Sequence, residues 1–169
     1  MITLYLAGSI RDGHDEDISW REDMITAVQH LPVRVLSPLG GRYFDPTTKL
    51  WTLRTGQVDD AKMIVKQDFW YIDQSDVVVF NFLALAQGYP NIGTLVELGR
   101  ATGTEALIYT IVATTYQGHE NPVMYRLHPF LEQTGAVVMH SVEQCREFLT
   151  AHLEVLTGVT PRYDAGRVQ

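Results

Sequence analysis

Five short apolar runs constrain this chain more than any other feature. They are "ITLYLA" (2–7), "VRVLS" (33–37), "VVVFNF" (77–82), "ALIYTIV" (106–112) and "AVVMHS" (136–141). Most are nearly continuous rather than alternating, as expected of strands covered on both faces. Helical patterns separate them, at about 15–30, 59–74, 94–103, 121–133 and 142–156. Strands divided by helices predict right-handed βαβ units and a single parallel sheet.

The expected architecture is therefore α/β: a single-domain, flavodoxin- or Rossmann-like sandwich with five parallel strands. By analogy with flavodoxin-like folds, the predicted strand order is 2-1-3-4-5. The chain has 169 residues, of which 46% are hydrophobic and 20% charged, which fits one domain with a real core. The domain is expected over 1–157, followed by a weakly periodic tail at 158–169. The segment 38–58, rich in Gly, Pro and aromatics, reads as a long functional loop. In such a sheet the ligand crevice lies beyond the carboxyl ends of the strands. "AGSIRDG", "SPLGGRYF" and "NFLALAQGYPNIGT" are the segments expected to line it.

Charge narrows the ligand class. The net charge is -7, which lacks the basic footprint of a nucleic-acid-polymer binder but leaves a nucleoside or mononucleotide open. Cys145 is the single cysteine, so no internal disulfide is expected, which is compatible with a reducing cytoplasm. The start "MITLYLAGSI" does not read as a signal peptide, and no apolar run approaches the ~20 residues of a membrane span. "HDED" (14–17) has no second cluster at ligand spacing, so neither a metal nor a cofactor is expected. Trp20, Tyr43, Phe44 and Trp51 are candidates for stacking on a base or for ordinary packing.

Two acids carry the chemical expectation. Thr94-Leu-Val-Glu97 matches a capping box, which would put Glu97 in the first turn of a helix where it ionises easily. The same position would let its carboxylate attack a sugar carbon. Asp68 falls on a stripe formed by Ala61, Ile64, Val65, Phe69 and Ile72. It is either a satisfied acid at the helix edge or one whose partly buried setting lets it donate a proton. "GSIRDG" is either a turn or an anion and sugar-hydroxyl cradle, with Gly8, Ser9 and Arg11 as its parts. It has neither a dinucleotide fingerprint nor a P-loop lysine. Tyr5, three residues before Gly8, is core or reaches the site.

Together these segments resemble the nucleoside 2-deoxyribosyltransferase family. The resemblance rests on "YLAGSI" (5–10), "QDFWYIDQSDVVVF" (67–80) and the GTxxE-type helix start "NIGTLVELGRA" (91–101), which contains Gly93. It spans most of residues 2–112. "GSIRDG" also resembles the phosphate-holding loop of related 2'-deoxynucleoside 5'-phosphate N-hydrolases. The resemblance implies that Glu97 attacks C1' of deoxyribose, that Asp68 contacts the base and helps protonate it, and that Tyr5 orients Glu97. It implies a deoxynucleoside or deoxynucleotide substrate, an acceptor nucleobase and a homo-oligomer with shared active sites. Asn121 is the candidate that a neighbouring subunit would lend. Asn91 stands where the transferases carry an acid for the 5'-hydroxyl and the hydrolases a serine for the phosphate, so the 5' preference stays open.

Three rivals follow. One is a hydrolase of deoxynucleoside monophosphates, with Ser9 and Arg11 on the phosphate. Another is a cytokinin-activating phosphoribohydrolase, against which counts the lack of a Gly-rich run before Gly93. The third is a non-catalytic nucleotide-binding module, which would need no acid at both 68 and 97.

Overall fold

Strand β1 (Ile2–Gly8) is an inner strand of the main sheet in the computed structural model, which describes residues 1–11, 14–40, 42–45, 50–53, 61–116, 119–120 and 134–159. It pairs in parallel with β2 (Val33–Leu36) on one edge and β5 (Val77–Asn81) on the other. β6 (Leu107–Ile111) and β9 (Val137–Met139) extend the sheet, again in parallel. The order β2-β1-β5-β6-β9 is the predicted 2-1-3-4-5 when the sheet strands are counted along the chain.

The apolar runs are continuous because alternate residues enter different cores. Leu4 and Leu6 point to one face, where Trp20, Met24 and Val28 of α1 (Glu16–Val28) meet Cys145, Leu149 and Leu153 of α5 (Val142–Thr157). Tyr5 and Ala7 point to the other, toward Ile72 of α2 (Ala61–Asp73) and Leu98 and Ala101 of α4 (Ile92–Ala101). Each large apolar side chain buried this way contributes about 1.5–3 kcal/mol. The single thiol, Cys145, is buried, which pushes its pKa up to about 12. Among the described residues, no helix is long and apolar enough to cross a membrane.

Helix α5 is bounded by recognisable caps. The Ser141 side chain accepts from the Gln144 amide at 3.0 Å, and Gly158 closes the helix at φ 70°. Gly158 and Val159 thus belong to the packed structure, Val159 lying against the core. The remainder of the expected tail, 160–169, and the helix expected at 121–133 lie outside the described residues.

The segment 38–58 is not a plain loop. It contains the antiparallel pair β3 (Arg42–Asp45) and β4 (Leu50–Leu53), with Tyr43 opposite Thr52 and Phe44 opposite Trp51. Aromatic and β-branched residues on either side of "DPTT" carry the hairpin propensity. Two further short strands, β7 (Thr115–Tyr116) and β8 (His119–Glu120), pair antiparallel after β6, and the short helix α3 (Leu83–Ala86) follows β5.

The carboxyl ends of β1 and β5 approach closely at Gly8. A Cβ there would lie 3.2 Å from Asn81 and from Trp20, a tight contact that glycine avoids.

Candidate active site

Tyr5 leaves β1 on the α2/α4 side, and its hydroxyl donates to Glu97 Oε1 at 2.7 Å. Burial first, then the charges of Glu97 and Asp68, drive the phenol far above its usual range, so Tyr5 remains a donor.

Glu97 does not cap its helix. α4 begins at Ile92, after Asn91 adopts the left-handed conformation at φ 36°, and the Asn91 side chain makes no capping hydrogen bond. The helix therefore starts earlier than the capping box predicts, and Glu97 falls in its second turn, beyond the strongest part of the dipole. The easy ionisation expected there is overturned. Burial pushes the Glu97 carboxyl up to about 7; the Tyr5 hydrogen bond pulls it down, the Asp68 charge adds to the rise and the Arg21 charge opposes it.

A cleft of about 400 Å³ opens over this pair, lined by Gly8, Ser9, Asp68, Asn91, Gly93 and Glu97 among others. That is the size of a small-molecule site. Ile64 and Val65 of the predicted α2 stripe also face it, while Ile72 is in the core and Val65 is largely exposed. Asp68 is thus on the cleft side of α2, with Arg42 Nη1 3.9 Å from its Oδ1. Ser9 Oγ donates to Asn91 Oδ1. Asn91 is only 8% exposed, and its Nδ2 is buried with no hydrogen-bond partner among the described residues.

Arg11 is not brought to this cleft. Its Nε and Nη2 hold Asp17 at 2.7 Å each, Nη1 holds Gln87 at 2.8 Å, and the guanidinium lies over the Tyr89 ring. It lines a different cavity, of about 310 Å³, on the α1/α3 side of the strand ends. His14 and Glu16 pair with each other nearby. Trp20 is a core residue. Asn121 and the side chains of Tyr43, Phe44 and Trp51 lie outside the described residues.

Two guanidinium groups escape a motif-based reading. Arg42, on β3, has its side chain 4% exposed behind Asp68. Arg21 is buried in α1 and donates to the carbonyls of Leu6, Gly8, Ser9 and Asp17. Burial lowers its pKa to about 10. It ties down the end of β1 from beneath. Its signal was available: Asp17, Trp20, Arg21, Met24 and Val28 recur at helical spacing, and the buried face they form includes the arginine.

The arrangement is one carboxyl group oriented by a phenol, and a second acid lining the same cleft. Two carboxyl groups in one small-molecule cleft suit the breaking of a glycosidic bond.

Comparison with known proteins bears on that chemistry. The model of the family described as nucleoside 2-deoxyribosyltransferase matches residues 4–124. No curated protein matches the chain. Among solved structures, a conserved protein from Enterococcus faecalis is 16% identical, with a TM-score of 0.63 over 92% of this chain and 99% of that one. A 2-desoxiribosyltransferase from Leishmania mexicana is 17% identical, with a TM-score of 0.58 over 90% and 99%. The Clostridium botulinum CMP N-glycosidase BcmB is 13% identical, with a TM-score of 0.56 over 88% and 98%. These three share the fold. The family match covers most of the chain, including both acids and Tyr5, and the protein belongs to the nucleoside 2-deoxyribosyltransferase family, enzymes of the N-glycosidase and transferase type.

Proposed function

We propose that the protein cleaves the N-glycosidic bond of 2'-deoxynucleosides and passes the deoxyribosyl group to an acceptor nucleobase or to water. The observation that carries this reading is the Tyr5–Glu97 hydrogen bond at the wall of a cleft that Asp68 also lines. A Glu97 oxygen attacks C1' as the C1'–N bond breaks. The bonding pair leaves with the base, which takes a proton from Asp68. The product is a sugar ester of Glu97. A nitrogen of the incoming base then attacks C1', the ester C1'–O bond breaks with its pair returning to Glu97, and the acceptor's N–H proton passes to the Asp68 carboxylate, which restores the acid. Water in the same place yields free deoxyribose. This is the two-carboxyl logic of retaining glycosidases.

The 5' end favours a nucleoside. Asn91 Nδ2 and Ser9 supply neutral groups at the cleft, whereas Arg11, the cation that would suit a phosphate, is committed to Asp17. The alternative, a 2'-deoxynucleoside 5'-monophosphate N-hydrolase, requires Arg11 to leave that pair.

A second copy of the chain is the partner this reading implies. Met63 and Val65 of α2 and Ile92, Leu95 and Val96 of α4 are exposed, and Val65 and Val96 also line the cleft, so a copy seated there would wall the site.

The test is chromatography of purified protein with deoxynucleosides, with and without an acceptor base, repeated with deoxynucleoside 5'-monophosphates. Base exchange on free nucleosides is expected, with a sugar adduct on Glu97 by mass spectrometry and no base release by a folded Glu97→Ala variant. Near-normal turnover in Glu97→Ala would sink the mechanism. Hydrolysis of monophosphates alone would select the alternative.

A further inference from the structure

Arg42 stands beside Asp68, and the mechanism above gives it no role. It is carried by β3, and its side chain is almost inaccessible. Burying a guanidinium is costly unless its N–H groups and charge are met. Here Nη1 donates to the Pro38 carbonyl, Nη2 donates to Gln67 Oε1 at 2.8 Å, and Nη1 lies 3.9 Å from Asp68 Oδ1. Gln67 in turn donates to the Tyr71 hydroxyl, and the Tyr71 ring packs 5.8 Å from that of Tyr5, the donor to Glu97. The cation is therefore anchored from two sides and directed at one oxygen of the cleft acid. Oδ1 is buried beside it, while Asp68 itself lines the cleft.

We propose that Arg42 is the positioning residue for base departure: its guanidinium, ion-paired with Oδ1 of Asp68 at 3.9 Å, draws that oxygen toward it so that Oδ2 is presented to the nucleobase, and it stabilises the carboxylate left on Asp68 after proton transfer. This role rests on the deoxyribosyl-transfer reading above. The step balances. The Asp68 O–H bond breaks and its electron pair stays on the carboxylate. The proton joins the nitrogen that leaves C1' with the C1'–N pair. A guanidinium suits the task because it is planar and keeps its charge: its fork bonds Pro38 and Gln67 while its charge stands 3.9 Å from Asp68 Oδ1. Lysine at the same place brings the charge but not the fork.

A double-mutant cycle over wild type, Arg42→Gln, Asp68→Asn and the pair tests this, with kcat, KM and Tm measured on deoxyadenosine. Arg42→Gln is expected to lower kcat by roughly tenfold or more, part of the typical contribution of a general acid, with KM within about threefold. In the Asp68→Asn background the same change should move kcat by less than about twofold, since coupled residues are non-additive. Arg42→Lys should fall between wild type and Arg42→Gln. If Arg42→Gln does not fold, Arg42→Lys carries the same cycle. Equal losses in both backgrounds, or a loss of Tm with kcat unchanged, would overturn the role. A folded wild type inactive on every deoxynucleoside and deoxynucleotide would instead overturn the transfer reading, and this role with it.

Discussion

Glu97 illustrates how one residue answers to its surroundings rather than to its neighbours in sequence. Its carboxyl is pushed up to about 7 from an ordinary value of 4.5, chiefly by burial. A nucleophile must be ionised, so kcat/KM should fall about tenfold per pH unit below about 7, which a pH–rate profile checks. Tyr5→Phe removes a hydrogen bond that lowers this value, so the acid limb of the profile should move to higher pH; an unmoved limb would deny Tyr5 its orienting role. Stability gives an independent readout. For a group raised in the folded state, its favourable contribution is fully present below about 4.5 and is lost as pH rises through about 7. Glu97→Gln removes the charge while an amide oxygen still accepts from Tyr5. At roughly 1.4 kcal/mol per pH unit, this variant should be more stable than wild type at pH 8 by on the order of 3 kcal/mol, with the gap closing below pH 4.5. Denaturant titrations at the two pH values measure it.

At the scale of elements, Arg11 straps the chain after β1 to α1, while Ser9 just before it lines the cleft. Arg11 and Asp17 are both largely buried, with Arg11 bonding Asp17 through its backbone amide, Nε and Nη2. Arg11→Ala should therefore cost stability, about 1.5–3 kcal/mol for a charged hydrogen bond, while KM for deoxynucleosides stays within a few-fold. A steep rise in KM for monophosphates alone would instead favour the phosphate-binding alternative. Helix α5 offers a control on the opposite face of the sheet. Ser141→Ala deletes its N-cap and should cost about 1 kcal/mol in denaturant unfolding with kcat unchanged. The α4 start shows why an element boundary matters. Thr94 and Glu97 have capping-box spacing, yet Asn91 turns left-handed and starts the helix earlier, which leaves Glu97 free to meet Tyr5.

For the whole molecule, the sheet separates two jobs. One face is closed by α1 and α5, and the other by α2 and α4, whose outer surfaces keep apolar residues exposed beside the cleft. Ile92→Asp places a charge on that surface without touching the cleft lining. It should weaken association in sedimentation velocity, and specific activity should fall as the copies separate. A monomer with full activity would show that one chain completes its own site.

The sequence by itself determined the five parallel strands and the doubly covered sheet, because an apolar run records burial on both faces of a strand; their order followed only from analogy with flavodoxin-like folds. It also singled out Glu97, Asp68 and Tyr5, through residue type and the family resemblance. The β3–β4 pair was present in its aromatic and β-branched residues, but the glycines and proline around it read as loop. Beyond the Tyr5–Glu97 pairing that the resemblance implied, tertiary structure decided which polar groups meet. Arg11 turns to Asp17 instead of the cleft, and Arg42 arrives behind Asp68 from a strand outside the main sheet. Periodicity encodes how deeply each residue is buried. The pairing of charges across the strand ends depends on where the chain returns in space, and local patterns carry no record of that.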